Sequence, residues 1–175
     1  MGVSNSRVAI LIEDQYQVLE VWYPLLRLKE DGIEVKTVGS GTKETYGSKE
    51  GYSCKADLSI KDVKAEEFDA IIIPGGFAPD ILRRYKEVVS FVAEAYKQGK
   101  VVASICHGGW LLVSAGILKD QRATSFFAIK DDLIAAGAKY LDEEVVVDKN
   151  LITSRKPEDL PRFVEEIIKQ LKDKK

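Results

Sequence analysis

The sequence predicts a doubly wound α/β domain: a mostly parallel sheet with helices on both faces and a small antiparallel hairpin excursion. Three observations carry this. Short apolar runs at 7–12 (RVAILI), 69–73 (DAIII) and 100–105 (KVVASI) have the character of strands buried on both faces. Segments with apolar residues at helical spacing separate them. Glycine or proline punctuates most junctions. A length of 175 residues suits one domain, and such a chain hides roughly 70% of its unfolded surface, enough for a substantial core. Residues 1–175 are therefore read as a single domain.

The elements follow in order. Arg7 to Ile12 is the first strand. Val18 to Glu30 places Val18, Val21, Trp22, Leu25 and Leu28 at helical spacing, with Pro24 expected to bend the helix or mark a fresh start, and Gly32 ending it. Ile33 to Val38 is the second strand. In Thr42 to Ser59, Gly47, Gly51 and the alternation around Tyr52, Cys54 and Ala56 suggest the hairpin. Asp69 to Ile73 is a strand closed by Pro74-Gly75-Gly76. Glu87 to Gln98 is a helix, Lys100 to Ile105 a strand, and Gly108 to Ala115 a helix stopped by Gly116. Ile129 to Ala136 is helical, and Glu144 to Val147 and Leu151 to Thr153 are strands around an Asp148-Lys149-Asn150 turn. Pro157 to Lys172 closes the chain as a helix, with proline suited to its first turn.

Composition excludes several classes. With 45% hydrophobic and 31% charged residues and a net charge of -2, the chain reads as globular rather than disordered or membrane-embedded. No basic excess exists to neutralise phosphates, so neither nucleic acid nor membrane is expected as a partner. The basic stretch Lys169 to Lys175, which includes Asp173, reads as a solvated helix end. Two cysteines, Cys54 and Cys106, and one histidine, His107, are too few for a disulfide scaffold or structural zinc. No metal or cofactor is expected. The polar start Met1 to Ser6 does not resemble a signal peptide, and a cytoplasmic location with reduced thiols is the expectation.

In open α/β sheets ligands gather at the carboxyl ends of strands. The strand ending Ser104-Ile105-Cys106-His107-Gly108-Gly109-Trp110 has the layout of a nucleophile elbow: an apolar strand, a reactive residue, then glycines opening a helix. Such a turn is expected to expose and strain Cys106. Glycines after it would let substrate approach the backbone, and the helix start would favour thiolate over thiol. Most free cysteines are small buried hydrophobes; the flanking His-Gly-Gly is what argues otherwise here, whereas Cys54 reads as filler. Neighbouring side chains usually point apart, so a direct Cys106–His107 relay is not guaranteed by adjacency. The Pro-Gly-Gly turn could supply oxyanion-hole amides. Glu20, among Val18, Leu19, Val21 and Trp22, is a partly buried carboxyl that could stay protonated and donate to the thiolate.

Six motifs in order, at 68–76 (FDAIIIPGG), 78–80 (APD), 103–108 (ASICHG), 129–132 (IKDD), 144–148 (EVVVD) and 153–155 (TSR), resemble the PfpI family. This is the intracellular protease and glyoxalase/deglycase branch of the class I glutamine amidotransferase-like superfamily. The resemblance runs from Arg7 to about Leu171 and implies a flavodoxin-like sandwich. It implies Cys106 as nucleophile with His107 beside it, Glu20 as the glutamate contacting the nucleophile, and Gly75 and Gly76 as the oxyanion turn. Asp80 stands where an acidic residue reaches across a subunit interface towards the histidine. Gly108, Trp110 and Phe126 complete the candidate pocket. Family members are dimers, or hexamers built from dimers. The activities implied are cofactor-independent conversion of methylglyoxal to lactate, removal of early glyoxal adducts from amino groups, or peptide hydrolysis. The partner is then a small carbonyl substrate or a peptide. The alternative is a redox-sensing or chaperone-like stress protein with an oxidisable Cys106. A glutaminase is disfavoured because no histidine follows His107. Gln17 replaces a common glutamate, Phe126 a common tyrosine, Gly109-Trp110 a common Pro-Gln, and Asp80 is shorter than glutamate. Together these imply a drier, less acidic pocket.

Overall fold

The structure is a computed structural model and describes residues 5–173. The start of Met1 to Ser6 and the last two lysines of the basic end therefore lie outside the described residues.

The first strand, β1 (Arg7–Ile12), is buried from its second residue onward, as its apolar run demands. It pairs in parallel with β2 (Glu34–Gly39) on one side and with β6 (Ala70–Ile73) on the other. Between β1 and β2 runs α1 (Val18–Glu30). Gln17 caps it by accepting the Glu20 N–H, and Gly32 leaves it at φ 76°. The helix continues through Pro24 without a fresh start. Proline leaves the Glu20 carbonyl without its helical donor, but Pro24 is buried and packing of α1 against α6 (Leu160–Asp173) holds the helix in place.

The excursion is the hairpin β3 (Thr45–Gly47) and β4 (Ser53–Lys55), paired antiparallel. The chain then adds β5 (Leu58–Ser59), an edge strand parallel to β2. Two residues show no periodicity, so the sequence did not reveal it. After β6 come α2 (Ala78–Leu82), to which the sequence analysis gave no element, and α3 (Lys86–Lys97). Next are β7 (Val101–Ile105), α4 (Gly109–Ala115), β8 (Arg122–Ala123), α5 (Lys130–Ala135) and β9 (Lys139–Tyr140). The chain closes with β10 (Val145–Asp148), β11 (Leu151–Ser154) and α6.

The main sheet has seven strands in the order β10-β11-β7-β6-β1-β2-β5. Only β10 runs antiparallel to its neighbour. Alternate side chains feed two cores. Ile10, Ile72, Ala103 and Ile152 pack with α1 and α6, whereas Leu11, Ile71, Val102 and Leu151 pack with α3, α4 and α5. This is the doubly wound, mostly parallel sandwich the sequence predicts. Its central strands deliver β1, β6 and β7 side by side, so their carboxyl ends form one crevice. Among the described residues no helix is long and apolar enough to cross a membrane.

Candidate active site

The crevice is a pocket of about 360 Å³ lined by Gln17, Glu20, Lys49, Gly76, Phe77, Cys106, His107, Trp110, Phe126 and Pro157. It joins three strand ends. Gln17 and Glu20 follow β1, Gly76 and Phe77 follow β6, and Cys106 and His107 follow β7.

Cys106 adopts φ 59°, a left-handed conformation that a side chain rarely takes, immediately after β7 and within a single 3-10 turn leading into α4. This is the strained turn of the elbow. Its exposure is another matter: Cys106 is only 8% accessible, because Gly75 packs against it. A Cβ on Gly75 would sit 2.7 Å from Cys106 Cβ. The glycines after the nucleophile also differ from expectation. A Cβ at Gly108 would meet the Ile73 carbonyl and Ser104 Oγ, and one at Gly109 would meet Leu133 and Ile129. They let α4 settle onto the sheet and α5 rather than open a path for substrate, and Gly108 does not line the pocket.

His107 does reach the nucleophile. Its Nδ1 lies 3.2 Å from Cys106 Sγ. The ring stacks on Phe126 at 5.0 Å and meets the edge of Trp110 at 5.1 Å, which fixes its orientation. Burial and the Lys49 charge both lower its pKa, so the imidazole is neutral near pH 7 and free to take a proton. Trp110 is itself held by a hydrogen bond from Nε1 to Asp132 Oδ2, 2.8 Å.

Glu20 is fully buried. Its Oε2 accepts the Gly75 N–H at 2.6 Å, and its carboxyl faces the Cys106 thiol. The Gly75 amide is thereby committed to Glu20 and is not a free oxyanion donor, a correction to the sequence reading. The donors aimed at the sulfur are the backbone amides of His107 and Gly76. Gly76 sits at φ 76°, where a Cβ would run into the Gln15 carbonyl and the Gln17 amide.

Burial raises Glu20 to about 7, against the lowering pull of the Gly75 N–H and the thiol. Burial, then the neighbouring Glu20 charge, pushes the Cys106 thiol up to about 12, while the two amides pull it down. The depressed thiol expected from the helix start is thus not found, because loss of solvent outweighs two amides. Glu20 and Cys106 act as one pair in which a second negative charge is disfavoured. With Glu20 ionised the thiol keeps its proton; with Glu20 protonated, the pair's one negative charge can fall on the sulfur once a base takes the thiol proton. His107 Nδ1 is placed to do so.

Asp80 lies on α2, paired with Arg84, and is not among the residues lining the pocket. Cys54 is a free, buried thiol in the core, raised to about 11 by burial, in keeping with filler. The charged residue the sequence analysis missed is Lys49; Phe77 and Pro157, which also line the pocket, were missed with it. Lys49 comes from the hairpin between β3 and β4, outside the three strand ends that form the crevice. Its only sequence signal was the excursion itself, which had no other assignment.

Three comparisons bear on this site. A family model described as the DJ-1/PfpI family matches residues 6–170. A Pyrococcus abyssi protein named as a deglycase is 45% identical over 166 residues, 95% of this chain and 99% of its own. The Escherichia coli protein named Protein/nucleic acid deglycase 2 is 39% identical, over 95% of this chain and 98% of its own. Among solved structures, an Anabaena variabilis protein with DJ-1/ThiJ/PfpI-like and ferritin-like domains superposes with a TM-score of 0.93 at 47% identity. That match covers 95% of this chain but 48% of the other, so this chain spans about half of that two-domain protein. With the family model spanning nearly the whole sequence and the strained cysteine at the carboxyl end of β7, the chain belongs to the DJ-1/PfpI family.

Proposed function

We propose that the protein is a cysteine-dependent enzyme acting on reactive carbonyl compounds, of the deglycase and cofactor-independent glyoxalase type. The observation that carries this is the 3.2 Å contact between Cys106 Sγ and His107 Nδ1 beside the buried Glu20 carboxyl. That arrangement supports reading the three as nucleophile, base and proton donor around one small pocket.

In the first step the sulfur bonds to the aldehyde carbon of a 2-oxoaldehyde. The thiol proton passes to His107, and the aldehyde oxygen, held by the Gly76 and His107 amides, takes a proton from protonated Glu20. The resulting hemithioacetal isomerises through an enediol, giving a thioester. The proton on the former aldehyde carbon is removed and one is delivered to the neighbouring carbon, while the hydroxyl on the first carbon gives up its proton and the former ketone oxygen gains one. Water cleaves the thioester, releasing a 2-hydroxy acid and restoring the thiol. The sum is methylglyoxal plus water to lactate, with no redox partner. An early adduct on an amine enters the same sequence by expelling the amine when sulfur bonds. A pocket of about 360 Å³ walled by Phe77, Trp110, Phe126 and Pro157 suits such compounds better than an extended peptide.

A cytoplasmic, reducing location suits two free thiols. A homo-oligomer, in which Asp80 of a second copy approaches His107, is part of the same proposal. The test is lactate formation from methylglyoxal without added thiol. Wild-type protein should turn over, and Cys106→Ala should fall to background. Full activity in Cys106→Ala would end the proposal.

A further inference from the structure

The hairpin excursion has no part in the nucleophile, the base or the sheet, yet its tip reaches the pocket. Gln15 N–H donates to the Gly47 carbonyl at 2.7 Å, and Lys49 N–H donates to the Tyr16 carbonyl at 3.0 Å. Tyr16 is fully buried, and its hydroxyl donates to the Tyr52 carbonyl at 2.6 Å while accepting from Trp22 Nε1 at 3.2 Å. Ser48 Oγ accepts the amides of Glu50 and Tyr52. On the other side of the same loop, Phe77 N–H donates to the Gln15 carbonyl at 2.8 Å. The backbone carrying Lys49 is thus fastened to the segment that joins β1 to α1, which is itself fastened to the oxyanion turn.

What this scaffold presents is a cation. Lys49 lines the pocket with Cys106 and His107, and its side chain is half exposed. Its carboxylate neighbour, Glu50, stands 3.7 Å from Nζ, a loose surface pair, and the other Glu50 oxygen is occupied by the Val18 N–H at 3.0 Å. Gln17, which also lines the pocket, is a neutral amide whose oxygen is taken by the Glu20 N–H. The one carboxyl among the lining residues, Glu20, is fully buried and turned to the Gly75 N–H, so towards an incoming molecule the pocket offers the Lys49 charge and amide donors, set in apolar walls that weaken screening.

We infer that Lys49 is a specificity-determining residue that binds an anionic group on the substrate, so that the site favours reactive carbonyl compounds bearing a carboxylate near the reacting carbon. This rests on the proposed function for the identity of the reaction, but the charge preference can be read without turnover. It differs from the base and nucleophile roles because Lys49 acts on the part of the substrate that does not react. A half-exposed cation acting across a few ångströms is expected to shift preference by about threefold to tenfold.

The experiment compares alkylation of Cys106 by iodoacetate, an anion, with alkylation by iodoacetamide, its neutral counterpart. In both, the sulfur displaces iodide and the thiol proton is lost to buffer. Cys106 modification is read by peptide mass spectrometry, with free cysteine in the same buffer as reference. The iodoacetate-to-iodoacetamide rate ratio should exceed that of free cysteine. It should fall about threefold to tenfold in Lys49→Gln, be kept in Lys49→Arg, and decline with added salt. An unchanged ratio in Lys49→Gln, or failure of both reagents to reach Cys106, would overturn the inference. In parallel, turnover of methylglyoxal is compared with turnover of dioxovalerate, a 2-oxoaldehyde with a terminal carboxylate. The preference for the anionic compound, read as the ratio of the two kcat/KM values, should follow the same order across the variants. Absence of turnover on both compounds with an intact alkylation ratio would remove the proposed reaction and leave the anion site standing.

Discussion

At the level of single residues, the site is governed by where protons rest. Glu20 is raised from 4.5 to about 7 because it is buried. An acid raised by folding holds its proton in the native state between those values while the unfolded chain has lost it. Stability conferred by the protonated form is therefore complete below about pH 4.5 and declines as pH climbs to about 7. The decline is about 3 kcal/mol, from 1.36 kcal/mol for each pH unit of displacement. In Glu20→Gln this contribution should vanish, while that of His107 remains in both proteins. Urea unfolding at pH 4.5 and pH 8 should show wild type losing about 3 kcal/mol relative to the variant, with lactate formation impaired in the variant at both. Below pH 8 the Cys106 thiol stays protonated in both folded and unfolded chains, so it does not blur the comparison. Equal pH dependence in the two proteins would place the proton elsewhere.

The same residues show how far local pattern reaches. Cys106, Glu20 and Gly76 were legible because strand, turn and helix succeed one another within a few residues. The commitment of the Gly75 amide to Glu20 was not, since it joins positions 55 residues apart. Nor was the burial of Cys106, which depends on how closely a glycine from a different strand end approaches it.

Among the elements, hydrophobic period located the longer strands and helices of the central layers within a residue or two, except that α6 starts at Leu160, three residues later than read, because Pro157–Asp159 form a separate 3-10 turn. It failed for β5, β8 and β9, each two residues long, and for α2, whose five residues make little more than one turn. Pairing across the sheet, not local preference, creates such pieces. The hairpin was legible as an excursion but its destination was not, because Tyr16 anchors it through backbone carbonyls that every residue possesses. That anchor gives an element-scale prediction. Tyr16→Phe removes the donor to the Tyr52 carbonyl and the acceptor for Trp22 Nε1. The cost should be about 1–3 kcal/mol, a fall of several degrees in Tm. Hydrogen exchange at the amides of Lys49 and Tyr52 should quicken more than at those of β1. A uniform change across the protein would show that the hydroxyl supports the whole fold rather than the hairpin.

For the whole molecule, one sheet separates two cores, and the site lies at the carboxyl ends of its central strands, where Cys106 belongs to the margin of the core shared with α1 and α6. The proposed assembly belongs to this scale. If Asp80 acts on the His107 of a second copy, mixing Cys106→Ala with Asp80→Ala subunits should restore activity that neither has alone. Random dimers would recover about a quarter of wild-type turnover, since half of the dimers are mixed and each has one intact site. Lactate assays after co-refolding check this, and no recovery would assign Asp80 to its own subunit or to the fold.

The hairpin tip carries one more consequence. Its attachments to the site run through main-chain atoms at Gly47 and Lys49, so the side chain at position 49 can be exchanged without touching the bonds that hold it there. Reaction chemistry is inherited with the rigid turn after β7, while the charge shown to incoming molecules is set by one replaceable side chain on a loop. Lineages sharing this framework can diverge in what they accept through a single codon and keep the nucleophile unaltered.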